Sequence, residues 1–372
     1  MTGISVTQLG RTLTAVTDKR PPLAEQPAPS RQSPQVACFG EILLRLSPPR
    51  CELLQQAQQL QVHIGGAEAN VAISLAQLGH GALMVSLMPE NALGRLCVGE
   101  LRRHGVQVEG IRTAPGRMGL YFVETGRGHR ATQVLYDRAY SAFALAAGSE
   151  VPWSVLLAGV EWLHLSGITP ALGRRAADAT IAAARAARSR DVRLSFDCNY
   201  RASLWSAWSG ADDAAAILRE IAGGAELLFA SERDLALILG RKPADNNGTP
   251  QEEFAAAALA ALARFEQLRY VACTLRIQHG PDAQELTALI MSREGLFTTR
   301  HYSLGEIVDR IGSGDAFAAA VLHGLLRQHD TQRIVDFAAA AACLKHALPG
   351  DFSLAGEREI EAVLRGEISM QR

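Results

Sequence analysis

The sequence predicts an α/β protein: a mostly parallel sheet covered by helices on both faces, with a small, partly exposed second sheet. Three observations carry this. Beyond Val151 the pattern alternates strand, helix, strand, as parallel sheets require. The first strand, 36–40, is a short apolar run, as a strand buried on both faces is. By contrast, 119–124 and 133–138 are half polar and are joined by a Gly/Arg-rich turn, which suits a sheet with one wet face.

In chain order, 36–40 is a short apolar strand ending at Gly40. Residues 41–46 continue with mixed alternation and stop at Pro48-Pro49. Residues 60–64 alternate as a half-exposed strand does, and Gly65-Gly66 breaks it. A clean helical pattern over 67–78 carries Asn70 in its first turns and closes at Gly79. A strand over 82–88 and a helix over 93–104, capped by Gly105, follow. The later strands are 162–166, 193–197, 226–230 and 270–275. Helices fall at 174–189, 214–222, 231–239 and 251–265. A strand ending near Val308 leads into an apolar helix over 316–328. No repeat of fixed period is present.

The chain has 372 residues and a formal net charge of −1. That length allows a sizeable core. A balanced charge gives no basic surface for nucleic acid, and no apolar run is long enough to span a membrane. None of the six cysteines forms a pair with metal-ligand spacing. Free buried thiols in a reducing cytoplasm are expected. Residues 1–35 lack the apolar core of a secretory signal. Their Pro- and Gln-rich, aperiodic composition predicts a disordered extension ahead of one domain over 36–372.

The most informative stretch is Val308-Asp309-Arg310-Ile311-Gly312-Ser313-Gly314-Asp315-Ala316. Gly312, Ser313 and Gly314 have little or no side chain, so their N–H groups can approach a ligand. They stand at a helix N-terminus, which favours an anion. Asp315 lies just inside that positive end, which favours its ionised form and suits a base at neutral pH. An anion cradle beside a carboxylate is what phosphoryl transfer to a hydroxyl needs. The same residues also serve as a plain glycine turn and helix start, and both readings stand at this point.

Four further groups are candidates. Gly65-Gly66-Ala67-Glu68-Ala69-Asn70 permits close approach of a small polar ligand, with Asn70 as donor and acceptor; an ordinary strand-to-helix turn looks the same. Asp197-Cys198-Asn199-Tyr200-Arg201 directly follows a strand, where α/β sheets bind ligands. There Arg201 is either a fork for phosphate or carboxylate or a solvated loop residue. Tyr121 and Tyr136-Asp137-Arg138 either close over a substrate or pack within their sheet. Asp351, in Pro349-Gly350-Asp351-Phe352, reads locally as a turn residue.

Taken together, GGAEAN early and DRIGSGDAF late resemble the two signatures of the ribokinase-like (PfkB) sugar kinases, from about Gln35 to Asp351. Further stretches look most like the 2-keto-3-deoxygluconate kinase branch. They are 39–46, Leu165-Ser166-Gly167-Ile168-Thr169, Asp197-Cys198-Asn199-Tyr200-Arg201, Thr274-Leu275-Arg276, and Lys345-His346 leading to Asp351. The resemblance implies a ribokinase-like three-layer fold with lid strands within about 41–65 and 117–140. It implies ATP- and Mg²⁺-dependent phosphorylation of a primary hydroxyl of a sugar acid. It makes Asp315 the general base and Gly312, Ser313 and Gly314 the anion hole. Gly65, Gly66, Asn70, Tyr121, Tyr136, Arg138, Arg201 and Asp351 become substrate contacts. Asn199, Ser231, Thr274, Arg276, Gly280, Gly312 and Gly314 fall on the nucleotide side.

The chain departs from the family pattern in three places, the smallest being Ser313 where Ala is common in the anion hole. Ser231-Glu232-Arg233-Asp234 stands where many relatives carry Asn-x-x-Glu, leaving Glu232 and Asp234 as candidate metal ligands. The stretch after Leu275 lacks the usual Gly-rich form. Two other readings therefore stay open: a kinase for a neutral ketose such as fructose, and a sugar-binding regulatory module with weak transfer. The resemblance also leaves room for a monovalent cation such as K⁺ near the anion hole, and for a homodimer or higher homo-oligomer built through the exposed lid.

Overall fold

Val36–Phe39 forms β1, and all four residues are buried. Val36 and Cys38 face one apolar core, Ala37 and Phe39 another. A strand apolar on both sides needs helices on both sides, and the rest of the chain supplies them. The computed structural model describes residues 33–127, 129–147, 151–243, 248–278 and 284–367.

After β1 come β2 (Leu43–Ser47), β3 (Gln61–Gly65), α1 (Ala67–Gln77), β4 (Ala82–Met88), α2 (Ala92–Arg103), β5 (Gln107–Thr113), β6 (Gly119–Glu124) and β7 (Gln133–Asp137). Two short helices, α3 (Ala142–Ala146) and α4 (Trp153–Leu156), lead to β8 (Trp162–Ser166), α5 (Arg174–Arg188), β9 (Arg193–Asp197), α6 (Ala202–Trp205) and α7 (Ala211–Ala222). Then follow β10 (Leu227–Phe229), α8 (Glu232–Leu239), α9 (Pro250–Arg264), β11 (Tyr270–Gln278), β12 (Gln284–Ser292), β13 (Gly295–Thr298) and β14 (Tyr302–Ser303). The chain closes with α10 (Ser313–Leu326), α11 (Thr331–His346) and α12 (Glu357–Arg365).

Among the described residues the strands form two sheets. The large one runs β13-β12-β11-β10-β9-β8-β1-β4-β5, with β14 paired to β12. From β11 through β5 every neighbouring pair is parallel. The β12 strand is antiparallel to β11, β13 and β14. Between β1 and β8 the chain order reverses direction across the sheet. That reversal opens a crevice beyond the carboxyl ends of the strands, the usual ligand position in such folds. The three-layer α/β architecture expected from the sequence is the one observed.

The small sheet runs β3-β2-β6-β7. Its register aligns Arg45 with His63 and Tyr121, and Tyr121 with Tyr136, so these four share one face. Leu46, Val62, Phe122 and Leu135 share the other face, where Val62 and Leu135 are exposed.

Several elements go beyond those the sequence pattern predicts, namely β5, β12 to β14, α11 and α12. The strand expected to end near Val308 is absent. Residues 304–310 are irregular, and the N–H groups of Val308 and Asp309 instead both donate to His346 O (2.8 and 3.2 Å). Nor does a loop follow Leu275, because β11 continues to Gln278 against β12. The extension expected over 1–35 lies, up to residue 32, outside the described residues. Gln35 N–H donates to Gly81 O at 2.8 Å. No helix among the described residues is long and apolar enough to cross a membrane.

Candidate active site

The late glycine turn starts α10, as the sequence predicts. Gly312 is its N-cap, with φ 81°, and no side chain caps the helix. Any side chain at Gly312 is excluded twice: by the left-handed backbone, and by Asp351 O, which would lie 1.9 Å from an added Cβ. Ala316 N–H closes the first helical turn by donating to Gly312 O (2.9 Å). The N–H groups of residues 313–315 precede any intrahelical acceptor. Gly314 is exposed, so this end of the helix is open. Behind it α10 is buried nearly all round, with Phe317 edge-on to Phe229 at 5.9 Å. The helix start is thus anchored in the core.

Asp315 projects from the first turn of α10 toward α1, where Asn70 Nδ2 donates to its Oδ2 at 2.7 Å. Asn70 is buried, and its Oδ1 is a buried acceptor with no partner among the described residues. The Gly65-Gly66 turn delivers Asn70 there. Gly66 has φ 140°, and a Cβ on it would meet Glu41 O at 2.4 Å. The expectation that the helix end holds Asp315 as an anion is corrected by the structure. Burial, together with the nearby Asp197, Asp351 and Glu68, pushes its pKa up to about 8, against the Asn70 hydrogen bond.

A saturated cluster lies beside this pair. Arg45, on β2, donates through Nη1 to Asp309 Oδ2 (2.7 Å) and Asp351 Oδ1 (3.2 Å), and through Nε to Ser47 (2.8 Å). Tyr121 OH donates to the other oxygen of Asp351. Asp309 also accepts from the N–H groups of Ile311 (3.0 Å) and Gly350 (3.1 Å). Asp351 is therefore no isolated turn residue; it ties the small sheet to the turn at Gly312. Gly65 packs against it, since an added Cβ would meet Asp351 Oδ2 at 2.1 Å. Tyr136 stacks on Tyr121 at 5.9 Å with its own ring partly exposed.

Arg138 is not an open fork. It is buried, and its Nε and Nη2 both donate to Glu41 Oε2 (2.8 and 2.5 Å). Its guanidinium lies 5.7 Å from the centre of the Tyr136 ring. Glu68, in the middle of GGAEAN, is also buried; its Oε1 accepts from Ser166 (2.7 Å) and Thr169 (2.8 Å), just past β8. Sequence reasoning missed Glu41, Arg45, Glu68 and Asp309 as site-building residues.

The remaining expected residues surround the open end of α10 or stand apart from it. Arg276 donates to Ser313 Oγ and to His346 Nε2, both at 2.9 Å. Because Arg276 can only donate, His346 accepts there and its Nδ1–H faces Ala342 O (2.7 Å). Burial lowers the His346 pKa to about 4, consistent with that neutral tautomer. His346 thus orients Arg276, a role local sequence does not signal. Thr274 sits within β11 opposite Ala288. Asn199 has φ 35° and donates its N–H to Asp197 Oδ1 (3.1 Å). Arg201 is exposed and donates to Tyr200 O (3.3 Å). Gly280 lies outside the described residues.

Ser231 caps α8 in a reciprocal box with Asp234: Asp234 N–H donates to Ser231 Oγ (3.2 Å), and Ser231 N–H donates to Asp234 Oδ2 (2.9 Å). Glu232 opens the same helix. Among the described residues no three acidic, His or Cys side chains converge as a preformed metal cage. Burial and the facing Asp234 push the Asp197 pKa up to about 7. Asp197 and Asp234 are oxygen donors of the kind Mg²⁺ takes together with phosphate oxygens.

A buried carboxyl beside an uncapped helix end, next to a small sheet, is an arrangement that phosphoryl transfer to a hydroxyl can use. The pfkB family carbohydrate kinase model matches residues 33–351, and the chain belongs to that family. It is 32% identical over 336 residues to a 2-dehydro-3-deoxygalactonokinase of Haloferax volcanii, covering 89% of this chain and 97% of the relative. A probable chloroplastic fructokinase-6 of Arabidopsis thaliana is 30% identical over 301 residues, covering 80% and 71%. The crystal structure of a 2-dehydro-3-deoxygluconokinase from Thermotoga maritima superposes with a TM-score of 0.84 at 36% identity, covering 90% of this chain and 99% of that one. The protein is a carbohydrate kinase.

Proposed function

We propose that this kinase transfers the γ-phosphoryl group of ATP to a primary hydroxyl of a 2-keto-3-deoxy sugar acid, with 2-keto-3-deoxygluconate, converted to its 6-phosphate, as the preferred acceptor. The observation that carries this reading is the Asn70–Asp315 pair at the open end of α10. The unanswered Asn70 Oδ1 is an acceptor for a substrate hydroxyl, and Asp315 is the group to take its proton. In the reaction, Asp315 accepts the proton of the attacking hydroxyl. The oxygen attacks phosphorus in line. The N–H groups of Gly312, Ser313, Gly314 and Asp315 stabilise the charge on the transferring oxygens.

Asp197, Asp234 and Glu232 are the residues to hold Mg²⁺, which when bound neutralises charge on the phosphates. Asn199, Ser231, Thr274, Arg276 and Gly280 are proposed to flank the nucleotide. Gly65, Gly66, Tyr121, Tyr136 and Asp351 are proposed to shape the sugar pocket. Arg138 and Arg201 are proposed to bind the acid group. Glu41 fixes two nitrogens of Arg138, which orients the guanidinium against Tyr136. Two relatives whose names specify 2-dehydro-3-deoxy acids support the substrate class.

A neutral ketose is the second reading. It is favoured by the fructokinase-named relative and by the engagement of Arg138 with Glu41. The test is ADP release with 2-keto-3-deoxygluconate, 2-keto-3-deoxygalactonate and fructose, on wild type and Arg138→Ala. The sugar acids should exceed fructose by at least about 10²-fold in kcat/KM, and the variant should erase most of that gap. Equal losses on acid and ketose would refute the carboxylate role. No ADP release on any acceptor would leave a regulatory sugar-binding module. The six free cysteines support a reducing, cytoplasmic setting. The exposed apolar outer face of the lid, with Val62 and Leu135, supports a homodimer, which light scattering would test.

A further inference from the structure

The last turn of α11 abuts the anion hole, and its charge is wrong for that place. The carbonyl of His346 receives the N–H groups of Val308 and Asp309, so the negative end of α11 meets the turn that leads to Gly312. Asp309 and Asp351 add two carboxylates at the same spot. A transferring phosphoryl group faces the far side of this turn. Arg276 stands on the Ser313 side (2.9 Å) and Arg45 alone faces the two acids and the helix end, so balance there takes one more cation.

Lys345 supplies that cation. Its side chain is wholly buried, rare for lysine. Its stem lies against Gly312: an added Cβ there would come within 3.3 Å of Lys345 Cε. Among the described residues its one hydrogen bond runs from Nζ to Leu348 O, at 2.9 Å. Burial lowers its pKa below the ordinary lysine value, while Asp309, Asp351 and Asp315 hold the charge in place and Arg45 acts against it. Arg45 and Lys345 together thus answer Asp309 and Asp351. The residues present therefore do not fit a free monovalent cation beside the anion hole; a built-in ammonium already serves there.

We propose that Lys345 is a positioning residue that replaces a monovalent cation behind the anion hole, making this kinase independent of K⁺. The proposal rests on the assignment of the 312–315 turn as the phosphate site. Its test has three arms. First, wild-type turnover is measured in KCl, NaCl and tetramethylammonium chloride at equal ionic strength. The rates should agree within about twofold; activation by K⁺ of severalfold or more overturns the proposal.

Second, Lys345→Met should lose about 10²-fold in kcat, by analogy with loss of a stabilising donor. Ammonium or K⁺, but not the bulky tetramethylammonium, should restore at least about 10-fold of that loss. Full activity in every salt, or a folded variant that no small cation restores, overturns the proposal. Third, K⁺ should raise the melting temperature of Lys345→Met relative to tetramethylammonium and leave that of wild type unchanged. This arm reads the cation site even if no acceptor in the substrate panel is phosphorylated, so a wrong substrate assignment is distinguished from a wrong role for Lys345. Should Lys345→Met not fold in any salt, the wild-type comparison decides.

Discussion

Two groups of acidic residues lie side by side in this kinase and are built in opposite ways. Asp309 and Asp351 are saturated by Arg45, Tyr121 and two backbone N–H groups. Asp315 has one neutral partner, Asn70, whose own acceptor is unanswered. The first arrangement gives the anion-hole turn a fixed shape. The second buries a carboxyl with few partners, which raises its pKa. Residue type alone does not separate structure from chemistry here; the number of satisfied partners does.

The sharpest way to break the contrast is Asp315→Asn. Turnover should fall by about 10³-fold, within the range for loss of a general base. Stability should move the other way. This carboxyl ionises near 3.8 ordinarily and near 8 in the fold. Folding therefore favours its neutral form, and the stability it contributes is present below about pH 4 and lost as pH rises toward 8. Asp315→Asn should melt above wild type at pH 8, with the gap closing toward pH 4. Wild-type kcat/KM should correspondingly rise with pH through about 8. Near-normal turnover in the variant would remove Asp315 from the chemistry.

Arg45→Met attacks the saturated side. It leaves two buried carboxylates without their cation and should cost about 3–5 kcal/mol in denaturant unfolding. Activity should fall with it, because the lid loses its tie to the turn. A loss below about 1 kcal/mol would show that the cluster is not what fixes the turn.

The smallest effect sharpens the comparison. Asn70→Ala should raise KM for the sugar about 10-fold and leave KM for ATP nearly unchanged, as expected for one substrate hydrogen bond. Equal changes in both constants would place Asn70 outside the sugar pocket.

Much of this contrast was hidden from the sequence, for a physical reason. The glycine turn, Asp315 and Asn70 were legible because glycines beside a helix start carry a local signature. The strands β8 to β11 were legible because apolar runs alternate there with helical ones. Arg45 reads locally as the polar half of an alternating strand, yet its partner Asp309 is 264 positions away. Lys345 reads as one charge in an alanine-rich helix, and only tertiary packing buries it. The β5 strand mixes Gly110 with polar residues and shows no clean period. The β12 strand is apolar over Ala288–Met291 but reaches its place by antiparallel pairing with β11, which the parallel rhythm upstream does not announce.

The bond from Arg45 to Asp351 joins the beginning of the fold to nearly its last segment. A nascent chain carries the lid strands long before it carries their anchoring acid, and domains form as synthesis proceeds. Until that acid emerges from the ribosome, the arginine waits uncompensated and the roof hangs loose over an unfinished pocket. The small sheet therefore takes its final tie only once nearly all of the fold has been made.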